Sequence, residues 1–181
     1  AVCAGLHSGA RRGLRPVQTH CATMRASSLR VLCAVGASLG LRMRRWDFAS
    51  AYLQGSLLDG EVVYCSPPPG YSHEDPGGNG RIGSDGQPQI CRVEKPIYGM
   101  GQAGRRWQRS VFPWFVEQGF KPSNSDPCLF QKRETRQTPS GPRDELLIIG
   151  VYVDDLFVLH SHDDQHSLYH AFTTAMQARW E

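Results

Sequence analysis

Residues 146–160 read LLIIGVYVDDLFVLH, two apolar runs with only Asp154 and Asp155 between them. The first run, Leu146 to Val153, is broken only by Gly150. Runs this short cannot each be a helix, and a two-residue spacer predicts a tight β-hairpin between buried strands. The charged tip needs its own explanation. An ionised carboxylate buried without a partner is very unfavourable, and two neighbouring ones also repel each other. A divalent cation relieves both costs, and a ligand set made only of oxygens suits Mg²⁺ or Mn²⁺. The plainer reading is an exposed Asp-Asp turn, which is common in hairpins. The two residues alone leave both readings open.

Around this hairpin the periodicity predicts alternating element types. Leu29, Leu32, Val35 and Leu39 recur at helical spacing over 27–39, with Ser27 or Ser28 as candidate caps and Gly40 as the stop. A strand is expected over 41–48, a short helix over 49–58, and strands over 61–65 and 90–93. A helix follows over 102–118, bent at Pro113, then a strand over 128–132. Residues 72–89 and 134–144 are polar and read as a surface loop and a turn region. Ser161 is a candidate cap for a last helix carrying Leu168, Phe172, Ala175 and Met176. Helices mixed with antiparallel strands predict an α+β domain.

Composition narrows the function classes. No apolar run approaches the ~18 residues of a membrane-spanning helix, so no membrane partner is expected. Residues 1–46 hold eight Arg and no Asp or Glu, which leaves the rest of the chain net acidic. Guanidinium groups suit phosphate binding, though residues 1–22 show no periodicity and read as an irregular basic segment. The six Cys are dispersed and none forms a C-x-x-C pair, so they read as reduced thiols of an intracellular protein. The chain opens on Ala1 without a signal-peptide pattern and reads as a piece of something longer.

A third carboxylate then bears on the hairpin tip. Asp47 ends a strand that begins in basic sequence and precedes Phe48-Ala49-Ser50-Ala51-Tyr52. The segments WDFASAYLQGSLLDGEVVYCSPPPGY, CRVEKPIYGMGQAGRRW, GFKPSNSDPCLF and YVDDLFVL, in this order, resemble the motifs of copia-type reverse transcriptases, the RNA-dependent DNA polymerase domain of a Gag-Pol polyprotein. Together they cover about residues 28–180, and the ordered set is far more specific than YVDD alone.

The resemblance implies a polymerase palm with partial fingers over residues 23–181, an antiparallel sheet packed against helices, stopping before the primer grip and thumb. It implies two-metal nucleotidyl transfer with two Mg²⁺ or Mn²⁺ ions. Asp47, Asp154 and Asp155 would be the catalytic metal ligands, with Asp155 beside the two principal ones. Tyr152 would lie near the primer terminus. Ser50 and Ala51 would line the triphosphate, Tyr52 would block a ribose 2′-hydroxyl, and Tyr98 and Gly99 would flank the incoming nucleotide. The implied partners are an RNA/DNA primer–template and deoxynucleoside triphosphates, and the chain would normally be part of a larger polyprotein.

Some features depart from that pattern. Gly101 stands where the family has Lys, and Gly104 where it has Pro. The basic fingers strand expected before residue 20 is not found. These departures keep open a decayed or host-retained fragment that binds nucleic acid without catalysis. Three weaker motifs are set aside. Gly36-Ala37-Ser38-Leu39-Gly40 fits G-x-S-x-G but lies at the end of a helical pattern. Gly78, Gly80 and Gly83 have no strand leading in, and His166 with His170 has no third metal ligand.

Overall fold

The computed structural model describes residues 6–7, 19–67 and 90–180. The predicted loop over 72–89 and the glycines at 78–83 lie outside them. The chain divides into two units, Ala1–Cys21 with Tyr52–Ser110, and Ala22–Ala51 with Val111–Glu181.

The second unit is a five-stranded antiparallel sheet in the order β2-β8-β7-β6-β5. Its strands are β2 (Arg42–Asp47), β5 (Lys121–Pro122), β6 (Leu129–Thr138), β7 (Gly141–Tyr152) and β8 (Asp155–His160). Apolar β7 and β8 take central positions, and Arg-rich β2 forms an edge, where charged side chains reach water. Alternation along the strands separates two faces. One bears Phe130, Ile149 and Val158. A cluster of rings gathers here, with Phe115 centred 5.1 Å from Phe130 and 6.3 Å from Phe172 of helix α4 (Leu168–Trp180). The opposite face is covered by α1 (Ala26–Ser38). The approach there is close: a Cβ on Gly150 of β7 would lie 2.6 Å from Met24 Sδ and 3.0 Å from Leu32 Cδ1. Gly36 meets Leu159 in the same way, so the G-x-S-x-G match is a helix–sheet packing feature.

The first unit holds a small sheet in which β3 (Tyr64–Cys65) pairs with both β1 (Leu6–His7) and β4 (Cys91–Arg92). Its core is Cys65, Val93, Met100 and Ala103, flanked by Tyr52, Leu57 and Ile97. Beside it, Glu61 accepts from Arg106 Nε at 2.8 Å, from Gln102 Nε2 at 3.1 Å and from the Leu58 amide at 2.9 Å. Burial alone would raise the Glu61 pKa, but these donors outweigh it and hold the carboxyl below its usual range. Gly104 has Cys21 against it, where a Cβ would meet Sγ at 3.0 Å, so a Gly here leaves room for that side chain.

The α+β expectation holds: helices accompany antiparallel sheets. The helix expected over 27–39 is α1, and the one expected over 102–118 is α3 (Ala103–Glu117), which runs through Pro113. Several boundaries differ. The helix expected over 49–58 is only α2 (Ala51–Gln54). The polar turn expected over 134–144 is mostly strand, because β6 and β7 continue as a paired ribbon to Thr138 and Gly141. Neither Ser27 nor Ser28 caps α1, whose N-terminus is held by Asp126 instead. Ser161 does not cap the last helix either, since its hydroxyl accepts from the Leu146 amide at 3.0 Å. Ser167 does so, accepting from the His170 amide at 3.1 Å. His166 precedes α4, so it has no helical i, i+4 relation to His170.

Candidate active site

The hairpin forms one residue out of its expected register. Tyr152 pairs with Asp155, so the two-residue loop is Val153-Asp154, and Asp155 belongs to β8. Val153 has φ of 60°, while Asp154 is not among the residues of positive φ. That is the pattern of a type II′ hairpin turn, whose first loop position Gly normally fills. A β-branched residue there is strained by about 1–3 kcal/mol. The strain sits between the two residues whose side chains the sequence singled out, Tyr152 and Asp154.

The same register carries Asp47 to this end of the sheet. Asp47 on β2 is paired directly with Asp155 on β8, some 110 residues along the chain, and Asp155 with Tyr152 on β7. Directly paired residues share a face, so Asp47, Asp155 and Tyr152 form one row across three strands. The Phe48 amide donates to the Asp154 carbonyl at 3.1 Å, which ties the end of β2 to the loop. The sheet thus brings Asp47, Asp154 and Asp155 to one end of a single unit. Tyr152 is about half exposed there. Ser50 follows with φ of 52°, and Ala51 opens α2 fully buried.

Convergence of the strands is not convergence of three side chains. Among the described residues, no three His, Cys, Asp or Glu side chains form a group able to hold a metal ion. Asp155 is already engaged: Arg45 Nε donates to its Oδ1 at 2.8 Å and Nη2 to its Oδ2 at 3.0 Å. Mg²⁺ is commonly held by only one or two carboxylates together with substrate phosphates, so it does not need a group of three from the protein.

Tyr52, Tyr98 and Gly99 belong to the first unit. The rings of Tyr52 and Tyr98 lie 4.4 Å apart between centroids at an angle of 32°, so these two residues form a tilted ring pair. Gly99 has φ of 98°, a backbone conformation that suits Gly.

A family model described as reverse transcriptase (RNA-dependent DNA polymerase) matches residues 10–180. The chain belongs to this reverse transcriptase family. It is 30% identical over 148 residues to the retrovirus-related Pol polyprotein from transposon RE2 of Arabidopsis thaliana, covering 82% of this chain and 9% of that protein. The Pol polyprotein from transposon RE1 of the same plant is 29% identical over 148 residues, with the same coverage of both chains. That from transposon TNT 1-94 of Nicotiana tabacum is 26% identical over 136 residues, 75% of this chain and 9% of the other. The reverse transcriptase chain therefore spans about a tenth of the length of these relatives. No solved structure matches it. A copia-type origin is consistent with these relatives, and no helix among the described residues is long and apolar enough to cross a membrane.

Two residues that sequence reasoning passed over hold the reverse transcriptase chain's second unit together. Asp126, 1% exposed, lies in the GFKPSNSDPCLF stretch. Its Oδ2 accepts from the Arg25 amide at 3.0 Å and from the Ser28 hydroxyl at 2.6 Å, and its Oδ1 from the Cys128 amide at 2.9 Å. One carboxylate thus caps α1 and fixes the turn into β6. Glu145, 2% exposed, accepts from Arg143 Nε at 2.9 Å and from the Leu168 amide at 2.6 Å, which seats the start of α4 on the sheet. An Asp before Pro announces a turn, but no local pattern names a helix about 100 residues earlier as its partner. Arg45 was legible in part, because alternation places it on the face of Asp47.

Proposed function

We propose that this chain is the palm, with part of the fingers, of an RNA-directed DNA polymerase that extends a primer on an RNA template by two-metal nucleotidyl transfer. The observation that carries the reading is the pairing of Asp47 with Asp155, with the Phe48 amide donating to Asp154 at the same sheet end. Membership of the reverse transcriptase family supports it further.

On this reading Asp47 and Asp154 are the principal metal ligands, with Asp155 beside them. When bound, two Mg²⁺ or Mn²⁺ ions supply the charge that activates a primer 3′-hydroxyl and stabilises the leaving pyrophosphate. The chain's own residues then position the reactants. Tyr152 supports the primer terminus from the same row. Backbone amides at Ser50 and Ala51 run along the triphosphate, and the Tyr52 ring, tilted against Tyr98 beside Gly99, rejects a ribose 2′-hydroxyl. A deoxynucleoside triphosphate adds to the primer and pyrophosphate leaves.

The test is primer extension on an RNA template with Mn²⁺ and deoxynucleotides. The chain is joined in frame to the flanking polymerase segments of the RE2 polyprotein, because duplex affinity comes from phosphate contacts spread along a groove. Extension that is lost in Asp154→Asn and in Asp47→Asn is the expected result. Equal extension by wild type and Asp154→Asn, or none by wild type when the same fusion partners support the RE2 segment, overturns the reading.

A further inference from the structure

Cys65 of β3 and Cys91 of β4 are directly paired across an antiparallel ladder, with residues 66–90 between them in the chain. Directly paired residues project from the same face. Here that face is the apolar core of the first unit. Cys65 is buried in it, and Cys91 packs against it from a half-buried position beside Val93 and Met100. The strand neighbours Tyr64 and Arg92 are exposed on the other face. The Val93 amide donates to the Val63 carbonyl at 2.9 Å, two residues along the same register. The cysteine pair is therefore of the hydrogen-bonded kind, with Cα atoms about 5.5 Å apart, a separation that a disulfide can span. The Cβ atoms of directly paired residues lie about 5 Å apart, slightly beyond the ~3.5–4.5 Å of a relaxed bridge, so closing it must draw the strands together. A disulfide under such strain is readily reduced, which suits a regulatory bond better than a permanent one.

We propose that Cys65 and Cys91 form a reversible disulfide, a redox-responsive modification site that locks β3 to β4. The inference stands on the first unit alone and is independent of the metal reading above. The oxidant is a low-molecular-weight disulfide such as oxidised glutathione. Cys91, the more accessible of the two, attacks it as a thiolate and releases one glutathione. Cys65 then attacks the Cys91 sulfur of the mixed disulfide and releases the second. On balance one sulfur–sulfur bond breaks and one forms. Two electrons pass from the cysteines to glutathione, and the two cysteine protons end on the two thiols released. The other described cysteines are placed differently: Cys33 and Cys128 belong to the second unit, and Cys21 packs against Gly104. The lock closes a ring over residues 65–91 and pins the core against which Tyr52 and Ile97 also pack.

In the experiment the full 181-residue chain is equilibrated in glutathione buffers of graded poise, quenched with acid, alkylated and digested with trypsin. Cleavage after Arg81 separates the two cysteines into peptides 46–81 and 82–92, so the bridge is read by mass as these two peptides joined. In folded wild type the joined pair should be the main oxidised species, and reducing buffer should return it to two alkylated peptides. The folded register makes the pair, so its equilibrium constant against glutathione should fall about tenfold or more in concentrated urea. Cys65→Ala should stop Cys91 at the mixed glutathione disulfide, and Cys91→Ser should leave the buried Cys65 unmodified. A far-UV melt checks that each variant folds, and Cys65→Ser serves as a second route if the Ala variant does not. Mixed glutathione disulfides without the bridge overturn the proposal, as does Cys91 joined mainly to another cysteine. An equilibrium constant that is the same in buffer and in urea also overturns it, because the fold then contributes nothing to the pairing. A bridge that survives the most reducing buffer overturns its reversibility.

Discussion

Asp47 and Asp155 sit directly opposite each other on neighbouring strands β2 and β8, and only Asp155 is gripped by Arg45. Opposed like charges in an antiparallel pair cost about 0.2–1 kcal/mol. In EDTA, Asp47→Asn should therefore melt about 1–3 °C above wild type. Added Mn²⁺ should reverse the order, because wild type gains a ligand that the variant holds poorly. A variant that melts below wild type in EDTA would mean that Asp47 makes a stabilising contact of its own.

Asp126 ties α1 to the turn before β6 through three hydrogen bonds. Burial tends to raise its pKa, but the Ser28 hydroxyl and the Arg25 and Cys128 amides more than compensate, and the net direction is down. A carboxyl depressed in the folded state contributes its stability above its unfolded pKa of about 3.9 and loses it as the pH falls through the lower folded value. Asp126→Asn should cost about 2–4 kcal/mol in urea titrations at pH 7. The gap to wild type should narrow at about pH 3 and below. A gap that is the same at both pH values would show that shape, not charge, makes the cap.

The hairpin and α1 were legible because each carries its own apolar pattern, two short unbroken runs for the strands and a period near four for the helix, whereas the meeting of Asp47 with the hairpin end was implied only by the family resemblance. The ribbon over 134–144 was not. Its residues are polar on both faces, and a period of apolar side chains cannot report a pair held by its backbone ladder and by contacts such as Thr135 Oγ1 to Asp144 at 2.5 Å. The one-residue shift of the hairpin was hidden for a related reason. Val153 looks like a strand residue, yet it occupies a loop position of positive φ that its branched side chain disfavours. Asp126, Glu145 and Arg45 act through partners 23 to 110 residues away, and nothing local in a sequence names such a partner. The family, by contrast, was legible from four ordered motifs, because their order and spacing reflect common descent and need no folding argument.

In the first unit the pair of Glu61 and Arg106 is nearly buried, with side-chain exposures of 12% and 5%. Breaking one partner of a buried pair leaves an uncompensated charge and costs about 3–5 kcal/mol. Arg106→Met should therefore be strongly destabilising, while Arg106→Met with Glu61→Gln should recover a large part of the loss, since Gln can still accept from Gln102 and Leu58. Chemical denaturation of the four members of this cycle measures the coupling. Additive losses would place the importance of Arg106 in its aliphatic packing.

His160 is 1% exposed on β8, stacked 4.0 Å from the Tyr169 ring, with Nδ1 3.0 Å from the His162 carbonyl and Nε2 buried without a hydrogen-bond partner among the described residues. Burial pushes its pKa down. The His162 carbonyl opposes this most, Arg44 and Arg42 add to the downward push, and Glu145 opposes it more weakly. The folded state therefore favours the neutral ring. Above the unfolded value of about 6.5 the two states bind the same number of protons at this site, and the contribution of His160 is constant. As the pH falls below that value the unfolded chain takes up a proton that the folded chain resists, so stability declines until the lower folded pKa is reached. Melting temperatures between about pH 7.5 and 5 should fall in wild type and fall less in His160→Phe, which keeps an aromatic ring against Tyr169 but cannot titrate. The carboxylates with depressed pKa values, Glu61, Asp126, Glu134 and Asp164, titrate mostly below this window and remain in both proteins, so the difference between the two curves isolates the histidine. Parallel curves would mean that water reaches Nε2 and solvates the charged ring.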